Sequence, residues 1–313
     1  MTEARPVRLA VSVNGDNSAH VMRMFAAALP DVEVVDAVTA GGDFDYVVAG
    51  VRDERLFASR RLPKAIFSFG AGVNGVLAIP NLPGDVPLIR LEDAGMAAQM
   101  IRYVLAAALR FAGHFDVYAK QQREHLWRAY DPRPPESMVA GVLGIGVIGG
   151  KIAQALATQG FRVRGHARNP KTLAGVDCYA GDAGIDAFLD GLDLLVAVVP
   201  LTAATRGMLD RRTLAKLAEG AHLINIGRGA LVNDADLIAL LDEGHLSGAT
   251  LDVFDAEPLP PSHPYWSRSD VTLTPHVSGV TLPDMAVAQI AAKVRRLEHG
   301  LPVTGVVDRT RGY

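Results

Sequence analysis

The chain has 313 residues, of which 49% are hydrophobic and 21% charged, and its formal net charge is −3. The length favours two domains, and the composition is that of an ordinary globular protein with no electrostatic footprint for nucleic acid or an anionic membrane. A single cysteine, Cys178, excludes an intrachain disulfide and suits the reducing cytoplasm, and no uninterrupted apolar run reaches the roughly 18–20 residues of a membrane helix.

The N-terminus runs directly into a short strand pattern, Arg8 to Val13, without the apolar core of a signal peptide. Ser18 to Leu29 has helical spacing. Val32 to Val35, Tyr46 to Val51, Ala65 to Phe69 and Pro87 to Leu91 read as buried strands. Strands alternating with helical patterns predict a parallel sheet with helices on its faces. The run Gly70-Ala71-Gly72-Val73-Asn74-Gly75 lies where a strand's carboxyl end opens into a loop. Amides exposed there suit a carboxylate or phosphate, although a tight connection reads equally well.

Ala94 to Gln122 carries a long helical pattern with one bend expected at Gly113. Its apolar residues spread around the circumference, as in a central connector or a subunit interface. Trp127 and the proline-rich stretch Asp131 to Pro135 follow, a natural break.

The sequence then reaches Gly144-x-Gly146-x-x-Gly149 between the apolar run Met138 to Leu143 and the helical pattern Lys151 to Thr158. Phe161 to His166 is the next strand. This βαβ context turns a weak glycine motif into a dinucleotide fingerprint. Gly144 permits the tight turn, Gly146 admits a pyrophosphate, and Gly149 lets helix and strand pack closely. The helix presents its N-terminal amides to the phosphates. About 20 residues on, an NAD site carries an acidic residue for the ribose 2′-hydroxyl. Here the strand ends His166-Ala167-Arg168-Asn169-Pro170-Lys171. Arg168, with Lys171 nearby, suits a 2′-phosphate, so NADPH is expected ahead of NADH.

Leu194 to Val199 is a further buried strand with the loop Pro200 to Thr205 over its end. A short helix around Leu214 to Leu217, capped by Gly220, precedes the strand His222 to Ile226. Asp234 to Leu241 is a helix; Ala249 to Phe254 and Val271 to Thr274 are strands. Arg228, Glu257 and His276 thus lie at or just past consecutive strand ends, which share one edge of a parallel sheet with the fingerprint. Each alone reads as a surface or turn residue. Together, beside a nicotinamide, they meet the needs of 2-keto acid reduction. Arg228 suits the carboxylate and polarises the keto oxygen. His276 suits proton delivery, with Glu257 orienting its imidazolium.

Several motifs resemble the D-isomer-specific 2-hydroxyacid dehydrogenases: the fingerprint itself, Pro200-Leu201-Thr202, Asn225-Ile226-Gly227-Arg228-Gly229, Leu251-Asp252-Val253-Phe254-x-x-Glu257-Pro258 and Thr274-Pro275-His276-Val277-Ser278-Gly279. Phe69 to Asn74, Pro258-Leu259-Pro260 and the tail Val307 to Tyr313 resemble the glyoxylate/hydroxypyruvate reductase A branch. The likeness is weaker before about Ala65. It implies an α/β fold of two doubly wound parallel-sheet domains with the active site in the cleft. A flavodoxin-like substrate domain would comprise 1–94 and 283–313, with a Rossmann cofactor domain, 95–282, inserted. The helix Pro283 to His299 would return the chain to the first domain.

The resemblance further implies catalysis by Arg228, Glu257 and His276, and carboxylate binding by the Gly72 and Val73 amides. Cofactor contacts would come from Gly144, Gly146, Val147, Ile148, Gly149, Arg168, Pro200, Thr205, Ile226 and Gly279, with Asp252 on the nicotinamide carboxamide. The family pairs through its cofactor domains, so a homodimer is expected, and Trp127 is a candidate to reach a partner's substrate. No metal is expected. Asn74 and Asn233 stand where Asp is common, and Val51-Arg52 matches no recognised specificity segment. The expected reaction is NADPH-dependent reduction of glyoxylate to glycolate or of hydroxypyruvate to D-glycerate. The alternatives are a dehydrogenase for a larger 2-keto acid and, from another class, a dinucleotide-sensing binding protein, against which the intact Arg228, Glu257 and His276 set argues.

Overall fold

A computed structural model describes residues 5–13, 18–50, 53–57 and 61–312. Val51-Arg52 and Tyr313 lie outside the described residues. The chain divides into two compact units, 1–95 with 281–313, and 96–280.

The first unit contains β1 (Val7–Ser12), α1 (Ser18–Ala28), β2 (Val32–Asp36), β3 (Tyr46–Ala49), β4 (Ala65–Ser68), α2 (Asn74–Leu77) and β5 (Leu88–Ile89). Among the described residues the strands form a five-stranded parallel sheet in the order β2-β1-β3-β4-β5. This is the flavodoxin-like order. Every residue of β3 and β4 is buried, as expected of parallel strands covered on both faces.

The second unit contains α3 (Met96–Ala112), α4 (Phe115–Arg123), β6 (Val139–Leu143), α5 (Val147–Thr158), β7 (Arg162–Ala167), β8 (Val176–Ala180), α6 (Ile185–Leu189), β9 (Leu194–Ala197), α7 (Arg211–Leu214), β10 (Ala221–Asn225), α8 (Asp234–Asp242), β11 (Leu246–Leu251) and β12 (Val271–Leu273). Its seven-stranded parallel sheet has the order β12-β11-β10-β9-β6-β7-β8. The chain reverses direction across the sheet between β6 and β9, the crevice where doubly wound folds bind ligands. Leu195, Leu223, Leu237 and Phe188 are among the side chains of its core.

The chain then returns to the first unit with α9 (Pro283–Glu298), which packs on α1. The tail closes the β5 edge: the Val307 amide donates to the Leu88 carbonyl at 2.8 Å, and the Arg90 amide to the Gly305 carbonyl at 2.9 Å.

Three local expectations change. The long helix is two helices, because His114 takes a left-handed φ of 58°. The neighbouring glycine has a separate reason: a Cβ on Gly113 would lie 2.8 Å from the Phe115 ring. The edge strand β8 was not expected at all. The helix placed around Leu214 to Leu217 starts earlier and ends at Leu214. The Asp210 carboxylate accepts from the Thr213 amide and the Thr213 hydroxyl bonds back in a capping box.

One core residue makes stability pH-dependent. His222 is buried in β10, its ring 5.1 Å from that of Phe111 and its Nε2 3.0 Å from the Thr250 hydroxyl. Burial pushes its pKa from 6.5 down to about 4. The fold therefore favours the neutral ring. This contribution is fully present above the unfolded-state pKa and is lost as pH falls through 6.5 towards 4, a total of about 3 kcal/mol. Denaturant titrations across that range should show the loss in the native protein and a flatter profile in His222→Gln. Equal profiles would remove His222 as the cause.

Candidate active site

The glycine turn after β6 is built from three different constraints. Gly144 has φ +107°, and a Cβ there would lie 2.7 Å from a Val199 methyl. A Cβ on Gly149 would lie 2.0 Å from the Gly144 carbonyl oxygen, so helix and turn touch backbone to backbone. Nothing lies within 4 Å of the Cβ position of Gly146, which leaves open space over the peptide. The Gly150 amide donates to the Gly146 carbonyl at 3.0 Å, in the first turn of α5. The amides of Val147, Ile148 and Gly149 precede it, in the first turn where helical amides lack intrahelical acceptors. Open space, first-turn amides and the positive end of the helix dipole fit a pyrophosphate. Arg168 is exposed directly after β7. Lys171 Nζ donates to the Ile145 carbonyl at 3.1 Å, which brings that lysine beside the glycine turn.

The loop after β9 is closed by one hydroxyl. Thr205 Oγ1 donates to the Pro200 carbonyl at 2.8 Å and accepts from the Thr202 amide at 2.8 Å. Ile226 is buried just past β10, its amide donating to the Ala197 carbonyl.

Arg228 follows in the same turn. Asn225 shapes this turn from the end of β10: its Nδ2 donates to the Arg228 carbonyl at 3.0 Å, and its Oδ1 accepts from the Gly227 amide at 3.1 Å. The flanking glycine is there for space. A Cβ on Gly229 would fall 1.8 Å from the Phe254 carbonyl carbon, so only glycine lets the segment after β11 pass beside Arg228. Burial lowers the Arg228 pKa and the nearby Glu257 charge opposes the shift; an arginine stays charged through such a change.

That passing segment delivers Glu257. Its Oε1 accepts from the Phe254 amide at 2.9 Å, and its Oε2 lies 2.8 Å from His276 Nδ1. A carboxylate only accepts, so Nδ1 carries a proton and Nε2 is the ring nitrogen left for a substrate.

His276 sits on a strained loop with φ +55°. Left-handed backbone costs a non-glycine residue roughly 1–2 kcal/mol, and a fully enclosed carboxylate holds the loop there. Asp252 Oδ1 accepts from the Thr274 hydroxyl at 2.6 Å and the Val277 amide at 2.8 Å, and Oδ2 accepts from the Ser278 amide at 2.9 Å. The His276 amide adds a bond of 2.9 Å to the Asp252 carbonyl. Asp252 has no exposed surface.

In the first unit, Gly72 and Val73 lie between β4 and α2. Ala49, Gly50, Ser68, Gly70 and Gly72 line a pocket at the carboxyl ends of β3 and β4. Trp127, in the second unit, is fully exposed after α4. Asn225, the Phe254 amide and Thr274 had no role from sequence. Asn225 and Thr274 stood inside quoted motifs, but their partners are distant or backbone groups that spacing does not show.

The family description "D-isomer specific 2-hydroxyacid dehydrogenase, NAD binding domain" matches residues 105–278. A glyoxylate/hydroxypyruvate reductase A of Serratia proteamaculans is 44% identical over 274 residues, 86% of this chain and 88% of that protein. The chain belongs to the D-isomer-specific 2-hydroxyacid dehydrogenase family. Within it, a family member from Xanthobacter autotrophicus, solved with NADPH and MES, has a TM-score of 0.93 at 38% identity and covers 99% of this chain and 100% of its own. An NADPH-dependent glyoxylate/hydroxypyruvate reductase of Sinorhizobium meliloti, solved with NADP and sulfate, has a TM-score of 0.91 at 34% identity and covers 98% and 100%. Both sheets of this 2-hydroxyacid dehydrogenase are parallel, as expected of two doubly wound α/β domains. Among the described residues, no helix is long and apolar enough to cross a membrane.

Proposed function

We propose that this chain is an NADPH-dependent reductase of small 2-keto acids, converting glyoxylate to glycolate and hydroxypyruvate to D-glycerate. The unit 96–280 is the cofactor domain, and 1–95 with 281–313 is the substrate domain. The observation that carries the reading is the His276–Glu257 pair at 2.8 Å beside a partly buried Arg228, on the sheet edge that holds the fingerprint.

When bound, the reduced nicotinamide supplies the hydride. The chain's own residues supply the rest. The planar fork of Arg228 holds the substrate carboxylate and draws charge towards the keto oxygen. In the substrate domain, the Gly72 and Val73 amides are the proposed carboxylate donors. His276 Nε2 gives its proton to the oxygen as negative charge develops there. Glu257, fixed by the Phe254 amide, holds the opposite ring nitrogen and stabilises the charged ring. The fingerprint amides hold the pyrophosphate and Arg168 the 2′-phosphate, with Pro200, Thr205, Ile226 and Gly279 bordering the nucleotide.

Kinetics with a series of 2-keto acids of increasing size, using NADPH and then NADH, test this reading. The highest kcat/KM is expected for glyoxylate and hydroxypyruvate with NADPH. A maximum at a larger keto acid would move the substrate, and no turnover with any of them would leave a dinucleotide-binding protein. Arg168→Ala should lower kcat/KM for NADPH by roughly 10–100-fold, the scale of one or two lost charge-assisted hydrogen bonds, with little change for NADH. An unchanged NADPH/NADH ratio would remove Arg168 from the 2′-phosphate site.

We place the enzyme in the cytoplasm and propose that it is a homodimer through the cofactor domain. Phe115, Leu126 and Trp127 are exposed around α4, and a fully exposed tryptophan is a candidate for burial against a partner. Trp127 would reach the partner's substrate. Sedimentation at the mass of one chain would contradict the dimer.

A further inference from the structure

One face of α3 grips the loop that carries His276. Met96, Gln99, Met100 and Tyr103 follow i, i+3, i+4, i+7 spacing and so share a stripe of the helix. Met100 and Met96 lie against Gly279, where an added Cβ would be 2.7 Å from Met100 Cγ. Gln99 makes a two-point contact with Val280: its Nε2 donates to the carbonyl at 2.8 Å, and its Oε1 accepts from the amide at 3.3 Å. The Tyr103 hydroxyl lies 2.6 Å from Thr274 Oγ1.

The direction of this last bond follows from proton counting. The one hydroxyl proton of Thr274 goes to Asp252 Oδ1 at 2.6 Å. Tyr103 is therefore the donor to Thr274, and the chain runs Tyr103 to Thr274 to Asp252. Burial, aided by the Asp252 charge, pushes the Tyr103 pKa up to about 12, so the hydroxyl keeps its proton near neutrality. Asp252 in turn accepts from the amides that follow His276. In a partly buried chain of this kind each bond polarises the next.

We propose that Tyr103, acting through Thr274 and Asp252, is a positioning residue for His276, and that the 96–103 face of α3 is the splint of the catalytic loop. This rests on His276 being the proton donor. The splint holds the strained φ of His276 and thereby the aim of Nε2, without Tyr103 touching substrate or cofactor. A misplacement near 1 Å can cost a catalytic group up to roughly 10²-fold, so a loosened splint should show in kcat.

The test compares Tyr103→Phe, Thr274→Val, Thr274→Ser and the double variant Tyr103→Phe/Thr274→Val with the native enzyme. His276→Asn is the control for the underlying reading, and Arg102→Ala is a surface control on the same helix. The readouts are kcat with glyoxylate and NADPH, the solvent deuterium isotope effect on kcat, the NADPH Kd and Tm. Tyr103→Phe and Thr274→Val should each lower kcat by roughly 10-fold and raise the solvent isotope effect, with NADPH Kd unchanged. The double variant should be no worse than Thr274→Val alone, because the two residues act in series. Thr274→Ser, which keeps the hydroxyl, should stay close to native. Native kcat and isotope effect in Tyr103→Phe, with His276→Asn inactive, would overturn the splint. An additive double variant, or losses that follow Tm alone, would also overturn it. An active His276→Asn would instead overturn the reading on which the splint rests.

Discussion

His276→Ala is expected to lower kcat for glyoxylate by roughly 10²–10⁴-fold, the contribution of a positioned general acid, with NADPH binding retained. The keto oxygen becomes an alkoxide as hydride arrives, and without His276 only water can protonate it. The geometry makes the residue hard to replace. Nδ1 is held by Glu257 at 2.8 Å, and the left-handed φ of His276 fixes the backbone from which the ring projects. Steady-state rates with a parallel NADPH titration measure the two effects separately. A normal kcat in this variant would take His276 out of the reaction.

Arg228→Ala is expected to act mainly on kcat/KM for the keto acid, by roughly 10²–10³-fold, the scale of breaking a largely desolvated charge pair. Arg228→Lys should recover little, because an ammonium cannot reproduce the two parallel bonds of the guanidinium fork. NADPH affinity should remain native in both. A variant whose sole defect is weaker NADPH binding would show that Arg228 serves the cofactor instead.

Much of the site was legible because a parallel sheet converts order along the chain into order along an edge. Arg228, Glu257 and His276 each follow one of the neighbouring parallel strands β10, β11 and β12, which present their ends together. The fingerprint glycines were legible for a similar reason, since each one's constraint lies within a few residues or in the adjoining strand end. What stayed hidden depends on distant partners. The bonds from Asp252 to Thr274, Val277 and Ser278 span more than twenty residues, and no periodicity announces them. Gly229 was noticed as a flank of Arg228, yet its reason, the backbone at Phe254, lies on another strand's loop.

The fold shows the same division. β6 and β9 are central and wholly apolar, so their composition declares them. β8 is an edge strand whose residues Val176 to Ala180 are mostly half-exposed, and their mixed pattern does not separate strand from loop. The bend expected at Gly113 falls in the two-residue break at Gly113 and His114, but His114, not the glycine that usually carries a left-handed turn, takes the positive φ. Here glycine meets a packing constraint and histidine takes the turn. α7 begins with a reciprocal Asp210–Thr213 cap, a signal obscured by the apolar run just after it.

The configuration of the product formed from hydroxypyruvate tests the proposed chemistry most directly. With the carboxylate on Arg228 and the keto oxygen at His276, only one face of the carbonyl is turned to the hydride. The expected result is D-glycerate alone, formed mole for mole with NADPH consumed. L-Glycerate, a mixture of both forms, or no NADPH oxidation at all would contradict it.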